Sequence, residues 1–245
     1  MKKISKLGIF DSGLGGYSVF KALKTEFFDL DMVLFADQKN APYGNYSSEK
    51  IIELSSNAMR WFLSQGIEDV LLACNTVTSV ALDILKVRFP SMRIWGIVDL
   101  TVSQVGEGYK KVAMVGTSAT VETHAYRDAL GRDMIEVALP NLAKMVEDLE
   151  SEAVIRDEIA KGLVSLDNLD CLVLGCTHYP LVKDVFSSLT DAVIVDSISP
   201  IIEFVRGNYN AGMGETRVVT TLDKNRMRHQ IEVLYGVIED VEDVL

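Results

Sequence analysis

The chain has few of the residues from which disulfide frameworks and metal centres are built. It contains three cysteines and three histidines, and no two cysteines form a Cys-x-x-Cys pair. A disulfide framework or a zinc knuckle needs more cysteines at closer spacing. Free thiols suit a reducing compartment, so we expect a cytoplasmic protein. Because so few ligand residues are present, we also expect no metal site.

Basic residues are also scarce, and long apolar runs are absent. Lysine and arginine total 24 against 35 acidic residues, which gives a net charge of −11. This charge opposes the phosphate backbone of nucleic acid, so we expect no direct nucleic-acid binding. No apolar run reaches the length of about 18 residues that a membrane helix needs. After the basic first residues, the apolar run 7–10 ends at Asp11 and is too short for the apolar region of a signal sequence, so we expect none.

Five prolines and 48% hydrophobic content in 245 residues are typical of an ordered globular chain. Short runs that are apolar on both faces indicate buried parallel strands, and the longer amphipathic stretches between them indicate helices. This alternation predicts an α/β fold with right-handed crossovers. The predicted strands are 7–10, 32–36, 70–73, 94–98, 112–115, 171–174 and 193–195, and the predicted helices are 16–27, 47–65, 77–89, 121–130, 152–162 and 179–189.

Similar segments recur in the two halves of the chain. Segment 7–12 resembles 112–117, and Cys74 has a counterpart in Cys176. We therefore predict two pseudosymmetric open parallel-sheet α/β domains with the active site between them. The first would comprise 1–97 plus 208–245 and the second 98–207, because a strand at 217–221 and a helix at 226–235 are expected to return to the first domain. The last residues, 237–245, are expected to form a solvated terminal turn.

Polar clusters follow the predicted strands, which is where open α/β sheets bind ligands. Two of these clusters begin with a cysteine, Cys74 or Cys176. A single buried cysteine is more often a packing residue than a reactive one. Two cysteines in matched positions favour chemistry, because two thiols approaching a molecule from opposite sides can invert a stereocentre by proton transfer.

The glycine-rich loop at 11–16 has two interpretations. Its backbone N–H groups, at the start of a helix, suit a carboxylate. The loop also approximates a dinucleotide fingerprint with Asp37 after the next strand, but the third glycine is missing and Asp11 would face the phosphates. Asp11 itself either orients a neighbouring thiol or ammonium group, or caps the helix that follows.

His178 lies two residues after Cys176 and is a candidate proton donor or acceptor for that thiol. A lone histidine is more often a packing residue, but this one follows a strand beside a candidate nucleophile. His124 and His229 lie in helical patterns without such neighbours, and we assign them no chemistry.

Two motifs are highly specific together, Asp-Ser-Gly-Leu-Gly-Gly at 11–16 and Leu-Gly-Cys-Thr-His-Tyr-Pro at 174–180. In these motifs, and over most of its length, the chain resembles the cofactor-independent glutamate racemases of the aspartate/glutamate racemase superfamily. Shorter matches occur in the family's order at 8–10, 41–44, 73–76, 116–121 with Tyr126, 140–147 and 196–197.

The resemblance implies a two-base racemisation of glutamate that supplies D-glutamate for peptidoglycan without a cofactor, in a homodimer. By analogy, Cys74 acts on the α-proton of the D-enantiomer and Cys176 on that of the L-enantiomer. Asp11 would assist Cys74, and Glu147 with His178 would assist Cys176. The positions that match substrate-binding residues of the family are Ser12, Tyr43, Gly44, Asn75, Thr76, Thr117, Thr120 and Thr177.

The chain also departs from the pattern of this family. The departures lie at Tyr46, Val77, Thr78, Asp99 and Leu139, and at 143–145. They leave the acid/base set unchanged but concern the pocket for the substrate's side chain. Two alternatives therefore remain open: a racemase for aspartate or another acidic amino acid, and a non-catalytic binder that inhibits DNA gyrase on the same fold.

Overall fold

The computed structural model describes residues 3–244, which form two parallel β-sheets with interleaved helices. Within this range the strands, in chain order, are β1 (Lys6–Asp11), β2 (Asp31–Ala36), β3 (Asp69–Leu72), β4 (Arg93–Gly96), β5 (Val112–Gly116), β6 (Ile135–Ala138), β7 (Cys171–Gly175), β8 (Val193–Val195), β9 (Thr216–Thr220) and β10 (Val241–Asp243). The α-helices are α1 (Gly16–Glu26), α2 (Ser48–Ser64), α3 (Asn75–Arg88), α4 (Val98–Val102), α5 (Ser118–Glu122), α6 (Ala125–Leu130), α7 (Leu142–Glu147), α8 (Glu152–Leu163), α9 (Lys183–Ser187), α10 (Ile198–Asn208) and α11 (Lys224–Tyr235).

The two sheets repeat one topology. The six-stranded sheet has the order β10-β9-β2-β1-β3-β4, and the four-stranded sheet has the order β6-β5-β7-β8. The run β2-β1-β3-β4 thus corresponds to β6-β5-β7-β8, and every paired strand is parallel. The predicted α/β fold with parallel sheets is confirmed. The residue limits of the two domains stay a prediction.

Both faces of each central strand are buried, which explains why the strands read as continuous apolar runs. In β1, Leu7 and Ile9 pack into one core with α1 and α11, while Phe10 packs into a second core with α2 and α3. The second sheet is covered on its two faces in the same way. The carboxyl ends of the central strands are therefore the places where this fold can present polar groups.

Three local predictions from the sequence are wrong. Within the segment predicted as a solvated turn, residues 241–243 form a strand instead, because β10 pairs with β9 and its Val241 is buried in the first core. The predicted helix 121–130 is two helices, interrupted at His124 with a left-handed φ of 54°. The predicted helix 179–189 begins as a 3₁₀ turn, with Pro180 in its first turn, before α9 starts.

Smaller differences concern strand and helix limits. The predicted strand 94–98 ends at Gly96, and α4 begins at Val98. Strand β6 was not predicted; its residues are half exposed, so it lacks the apolar run by which the others were found. No helix in residues 3–244 has the length and apolar character needed to cross a membrane.

Candidate active site

Residues that follow strands of both sheets line one cavity of about 160 Å³. Pockets for drug-sized ligands measure roughly 300–1,000 Å³, so this cavity suits a small metabolite. Asp11 and Thr120 do not line the cavity and are fully buried beside residues that do. The other predicted site residues all line it: Ser12, Tyr43, Gly44, Cys74, Asn75, Thr76, Thr117, Glu147, Cys176, Thr177 and His178.

Cys74 lies between β3 and α3. Strand β3 therefore places the Cys74 thiol at the carboxyl end of the first sheet, where it lines the cavity. Its Sγ lies 3.3 Å from Ser12 Oγ. Burial, and then the negative charge of Asp11, raise the pKa of the Cys74 thiol to about 12. Cys74 is therefore a protonated thiol at neutral pH.

Asp11 is the last residue of β1 and is fully buried. Its carboxylate accepts hydrogen bonds from the Gly13 N–H at 2.9 Å and from the Thr177 hydroxyl at 3.1 Å. Burial raises the pKa of Asp11 to about 6, against the opposing effects of His178 and of these hydrogen bonds. Asp11 thus contacts the residue next to Cys176, and it acts on Cys74 through charge.

Cys176 directly follows β7, the central strand of the second sheet, and has an imidazole beside it. Its Sγ lies 3.6 Å from His178 Nδ1, and His178 Nε2 lies 2.7 Å from Glu147 Oε1 at the end of α7. Burial lowers the pKa of His178, but the contacts with Cys176 and Glu147 outweigh burial and hold it well above its usual value. A positive charge beside a cysteine stabilises the thiolate form.

Glu147 is held as a carboxylate by several donors. Its Oε1 accepts the Leu14 N–H at 2.7 Å in addition to the contact with His178. Burial raises the pKa of Glu147, but the His178 hydrogen bond and charge and the Leu14 N–H together lower it. Cys176, His178 and Glu147 therefore form a chain of sulfur, imidazolium and carboxylate.

Two N–H groups of the glycine loop, those of Gly13 and Leu14, donate to the side chains of Asp11 and Glu147. The Gly15 N–H faces the ring of His178, 3.1 Å from Nε2. A Cβ on Gly15 would lie 2.3 Å from Thr177 Oγ1, so only glycine allows this close approach. The N–H groups of Gly13 and Leu14 are therefore not available to a ligand's carboxylate, and the dinucleotide interpretation fails because Glu147 and His178 lie where the phosphates would bind.

Neutral hydroxyl and amide donors surround the thiols instead. Thr76 Oγ1 lies 2.9 Å from Thr117 Oγ1, which in turn lies 2.9 Å from Thr120 Oγ1. The hydroxyl of Tyr126 donates to Asn75 Oδ1, which leaves the amide nitrogen of Asn75 buried and without a partner among residues 3–244. This amide nitrogen is available to donate to a bound molecule.

The Pro-Tyr-Gly segment at 42–44 forms another part of the wall, after β2. Tyr43 donates its hydroxyl to Asp37 Oδ2 at 2.5 Å, and Asp37 also accepts the Thr221 hydroxyl at 2.6 Å. A Cβ on Gly44 would lie 2.7 Å from Cβ of Thr117, so the two halves of the site meet closely here. Asp37 therefore anchors Tyr43 and does not serve a ribose.

Several lining residues were missed from the sequence. Gln38 lies beside the Pro-Tyr-Gly segment, Lys144 is on α7, and Arg226 is on α11. Both cations contact Asp148, Arg226 at 3.4 Å. The departures at 143–145 pointed to Lys144, but no local pattern marks Arg226, because α11 reaches the cavity only through the return of the chain to the first sheet.

The arrangement places the Cys74 thiol and the Cys176 sulfur, which has an imidazolium beside it, in one small cavity with many neutral donors. A negative charge on Cys176 would raise the pKa of the Cys74 thiol further. Such a cavity can remove a proton with one sulfur and deliver another proton with the second.

Comparisons with known proteins identify the family. The sequence model of the family described as Asp/Glu/Hydantoin racemase matches residues 31–205. The glutamate racemase of Aquifex aeolicus is 32% identical, over 97% of this chain and 96% of its own. The structure of a Thermus thermophilus glutamate racemase in complex with β-chloro-D-alanine is 29% identical with a TM-score of 0.87, covering 100% of this chain and 98% of that one.

A glutamate racemase structure from Bacillus anthracis reaches a TM-score of 0.91 over 99% of this chain and 98% of that one. At 24% identity this likeness concerns the fold alone. The resemblance inferred from the motifs is confirmed by the family match and by the relatives together. The chain belongs to the Asp/Glu/Hydantoin racemase family and is an amino-acid racemase.

Proposed function

We propose that this racemase interconverts L- and D-glutamate by proton transfer between Cys74 and Cys176, without a cofactor. One observation carries the proposal. Both thiols line the same cavity, and each has a different electrostatic partner: a carboxylate for Cys74, and an imidazolium paired with Glu147 for Cys176.

The resting state suits one direction of the reaction. With L-glutamate bound, the Cys176 thiolate takes the α-proton, and the electron pair of the broken C–H bond moves into the α-carboxylate. The Cys74 thiol then gives its proton to the opposite face of the α-carbon, which forms D-glutamate and leaves Cys74 as a thiolate. The reverse reaction begins from that second state, so each sulfur carries one proton in turn.

The α-proton of a zwitterionic amino acid is far less acidic than a thiol. Most of the barrier must therefore be lowered by preorganised donors to the developing negative charge. The hydroxyls of Thr76 and Thr117 and the free amide nitrogen of Asn75 supply such donors. They stabilise charge without adding a proton that competes with the thiols.

Glutamate as the substrate is supported by the names of the relatives, which are glutamate racemases. The small cavity and the two cations at 144 and 226 suit a short dicarboxylate. We further propose that the chain supplies D-glutamate for peptidoglycan, works in the cytoplasm and forms a homodimer. The domain division 1–97 plus 208–245 and 98–207 is proposed as the pair of bodies that encloses the substrate.

Purified protein incubated with single enantiomers tests the proposal. We expect optical rotation of L- and D-glutamate to decay to zero without added cofactor, and aspartate to react about two orders of magnitude more slowly. Discrimination of this size is reached when buried polar groups would be left unpaired by the shorter acid. Equal specificity constants for the two acids would remove glutamate as the assigned substrate, and no turnover of either would favour a binding protein.

A further inference from the structure

Helix α11 contacts the end of α7 at two points one turn apart. Arg226 Nη2 lies 3.4 Å from Asp148 Oδ1, and Gln230 Nε2 donates to the Glu147 carbonyl oxygen at 2.7 Å. Residues four apart on a helix share one face, so a single face of α11 makes both contacts. The residues Met227 and Ile231 of α11 pack in the core of the first sheet, whereas α7 packs in a core of the second. The contact therefore joins the two sheets.

The end of α7 depends on this contact. The last carbonyls of a helix lack partners within the helix. The carbonyls of 144, 145 and 146 accept N–H groups of the turn that follows, in which Leu149 has a left-handed φ of 57°. The Glu147 carbonyl accepts the side chain of Gln230 instead. The residue that carries the carboxylate for His178 is thus held at its backbone by another helix.

Gln230 is itself fixed by a buried chain of hydrogen bonds. The Thr220 hydroxyl donates to Gln38 Oε1 at 3.1 Å, Gln38 Nε2 donates to Gln230 Oε1 at 2.9 Å, and Gln230 donates onward to Glu147. Gln230 is 2% exposed and Thr220 is fully buried. Since every donor in this relay has one acceptor, the orientation of the Gln230 amide is determined. Two buried glutamines are costly unless the polar atoms of each are bonded.

We propose that Gln230 is a positioning residue for the Cys176 side of the reaction, acting through the backbone of Glu147. It touches neither thiol. It holds Glu147 so that the carboxylate stays 2.7 Å from His178, which keeps the imidazolium beside Cys176. The inference rests on the proposed function, since it assigns Gln230 to one of the two proton transfers.

Two variants test the inference. Gln230→Leu removes the relay, and Gln230→Met keeps the length of the side chain but has no group that can donate to the Glu147 carbonyl. We expect each to lower kcat/KM about tenfold in both directions, since the equilibrium constant of racemisation is unity. Ser55→Ala is the control, because it removes a buried side-chain bond to a carbonyl on α2, far from the cavity.

The α-deuterium isotope effect gives a readout that a purely structural role would not change. If the Cys176 step becomes slower, the effect measured with α-deuterated L-glutamate rises, because Cys176 removes that deuteron. The effect with α-deuterated D-glutamate falls, because Cys74 removes it in a step that no longer limits the rate. Equal changes in both directions, or no change beyond that of Ser55→Ala, would overturn the assignment.

A titration of the ligand-free protein makes the inference independent of turnover. The pKa of His178, followed by NMR with His124 and His229 as internal references, should fall in both Gln230 variants and stay unchanged in Ser55→Ala. An unchanged pKa of His178 would overturn the inference even in an active racemase. If the wild-type protein fails to racemise glutamate, the proposed function fails, while this titration still decides whether Gln230 positions Glu147.

Discussion

Cys74 and Cys176 occupy equivalent places in the repeated topology, each after the third strand of a four-strand run, yet their surroundings differ in charge. Cys74 has a hydroxyl at 3.3 Å and feels the negative charge of Asp11. Cys176 has an imidazole at 3.6 Å that Glu147 keeps protonated. In the proposed mechanism these different surroundings make Cys74 the proton donor and Cys176 the base for L-glutamate.

The difference explains how two chemically identical groups can work in sequence. If both sulfurs were thiolates, neither could protonate the carbanion, and if both were thiols, neither could remove the first proton. The unequal charges around them favour one proton shared between the two sulfurs. The comparison predicts that a substitution can impair proton transfer at one sulfur without impairing it at the other.

The largest effect is expected from removing either sulfur. Cys74→Ala and Cys176→Ala should each lower racemisation at least 10³-fold, since each variant loses the proton carrier on one face. Cys74→Ala should still exchange the α-proton of L-glutamate with solvent through Cys176, and Cys176→Ala should still exchange that of D-glutamate through Cys74. Polarimetry and mass spectrometry in heavy water measure the two outcomes.

Cys171→Ala is the matched control, because Cys171 is a fully buried cysteine at the start of β7, away from the cavity. It should lose stability and keep its turnover. If either Cys74→Ala or Cys176→Ala kept more than about a tenth of the activity, the barrier would have risen by less than ~1.4 kcal/mol. That sulfur would then be a packing residue.

The next largest effect should come from Glu147→Gln. This change keeps the shape but removes the charge that holds His178 protonated, so the pKa of His178 should fall and kcat/KM should drop about 10²-fold. Glu136→Gln is the control, because Glu136 contacts His124 at 2.6 Å in a similar pair that has no cysteine beside it. An activity loss shared by both variants would mean that the Glu147 pair serves stability alone.

Much of this arrangement was predictable from the sequence. The strands β1, β2, β3, β5 and β7 were found because their burial on both faces leaves a continuous apolar run, and β8 was found at its observed limits. The cysteines and polar residues at the ends of these strands then indicated a shared cavity. Strand β10 was missed because only Val241 of its three residues is buried.

The partners of the site residues were less predictable. No periodicity shows that Leu14 donates to Glu147, or that Gln230 reaches the same residue from α11, because both contacts join segments more than eighty positions apart. The assignment of Asp11 to Cys74 came from resemblance. The structure adds that Asp11 is bonded to Thr177 on the opposite side.

A labelling experiment sharpens the comparison without any variant. In heavy water, the enantiomer formed should carry deuterium at its α-carbon from the earliest turnovers, while recovered substrate should carry almost none. The proton taken by one sulfur stays there while the other sulfur delivers a deuteron that it had exchanged with solvent. Early product that retains the substrate's own α-hydrogen would mean that a single base serves both faces.

The smallest effect on the rate is expected from Asp11→Asn, because Asp11 acts on Cys74 through charge and not by contact. We expect kcat/KM at neutral pH to fall less than tenfold. In the wild type, kcat/KM should decline below a pH of about 6, where the Asp11 carboxylate becomes protonated, and this decline should be absent from the variant.

The same change should stabilise the fold, and the sign follows from the pKa. Asp11 has a pKa of about 6 in the folded protein against a usual 3.8, so the folded state holds the proton more tightly and the free energy of unfolding decreases as pH rises from 3.8 to 6. The decrease is ~3 kcal/mol at neutral pH, and losing one hydrogen bond offsets ~1 kcal/mol of it in the variant. Urea unfolding should therefore show Asp11→Asn about 2 kcal/mol more stable than wild type at pH 8, with no such gain near pH 4.

The exposed Asp170, whose pKa is lowered by the N–H groups of Lys111 and Lys110, should give no gain when changed to Asn. A gain at both pH values would mean that the burial of charge at Asp11 is not the cause, and that the Cys74 side owes its high pKa to burial alone.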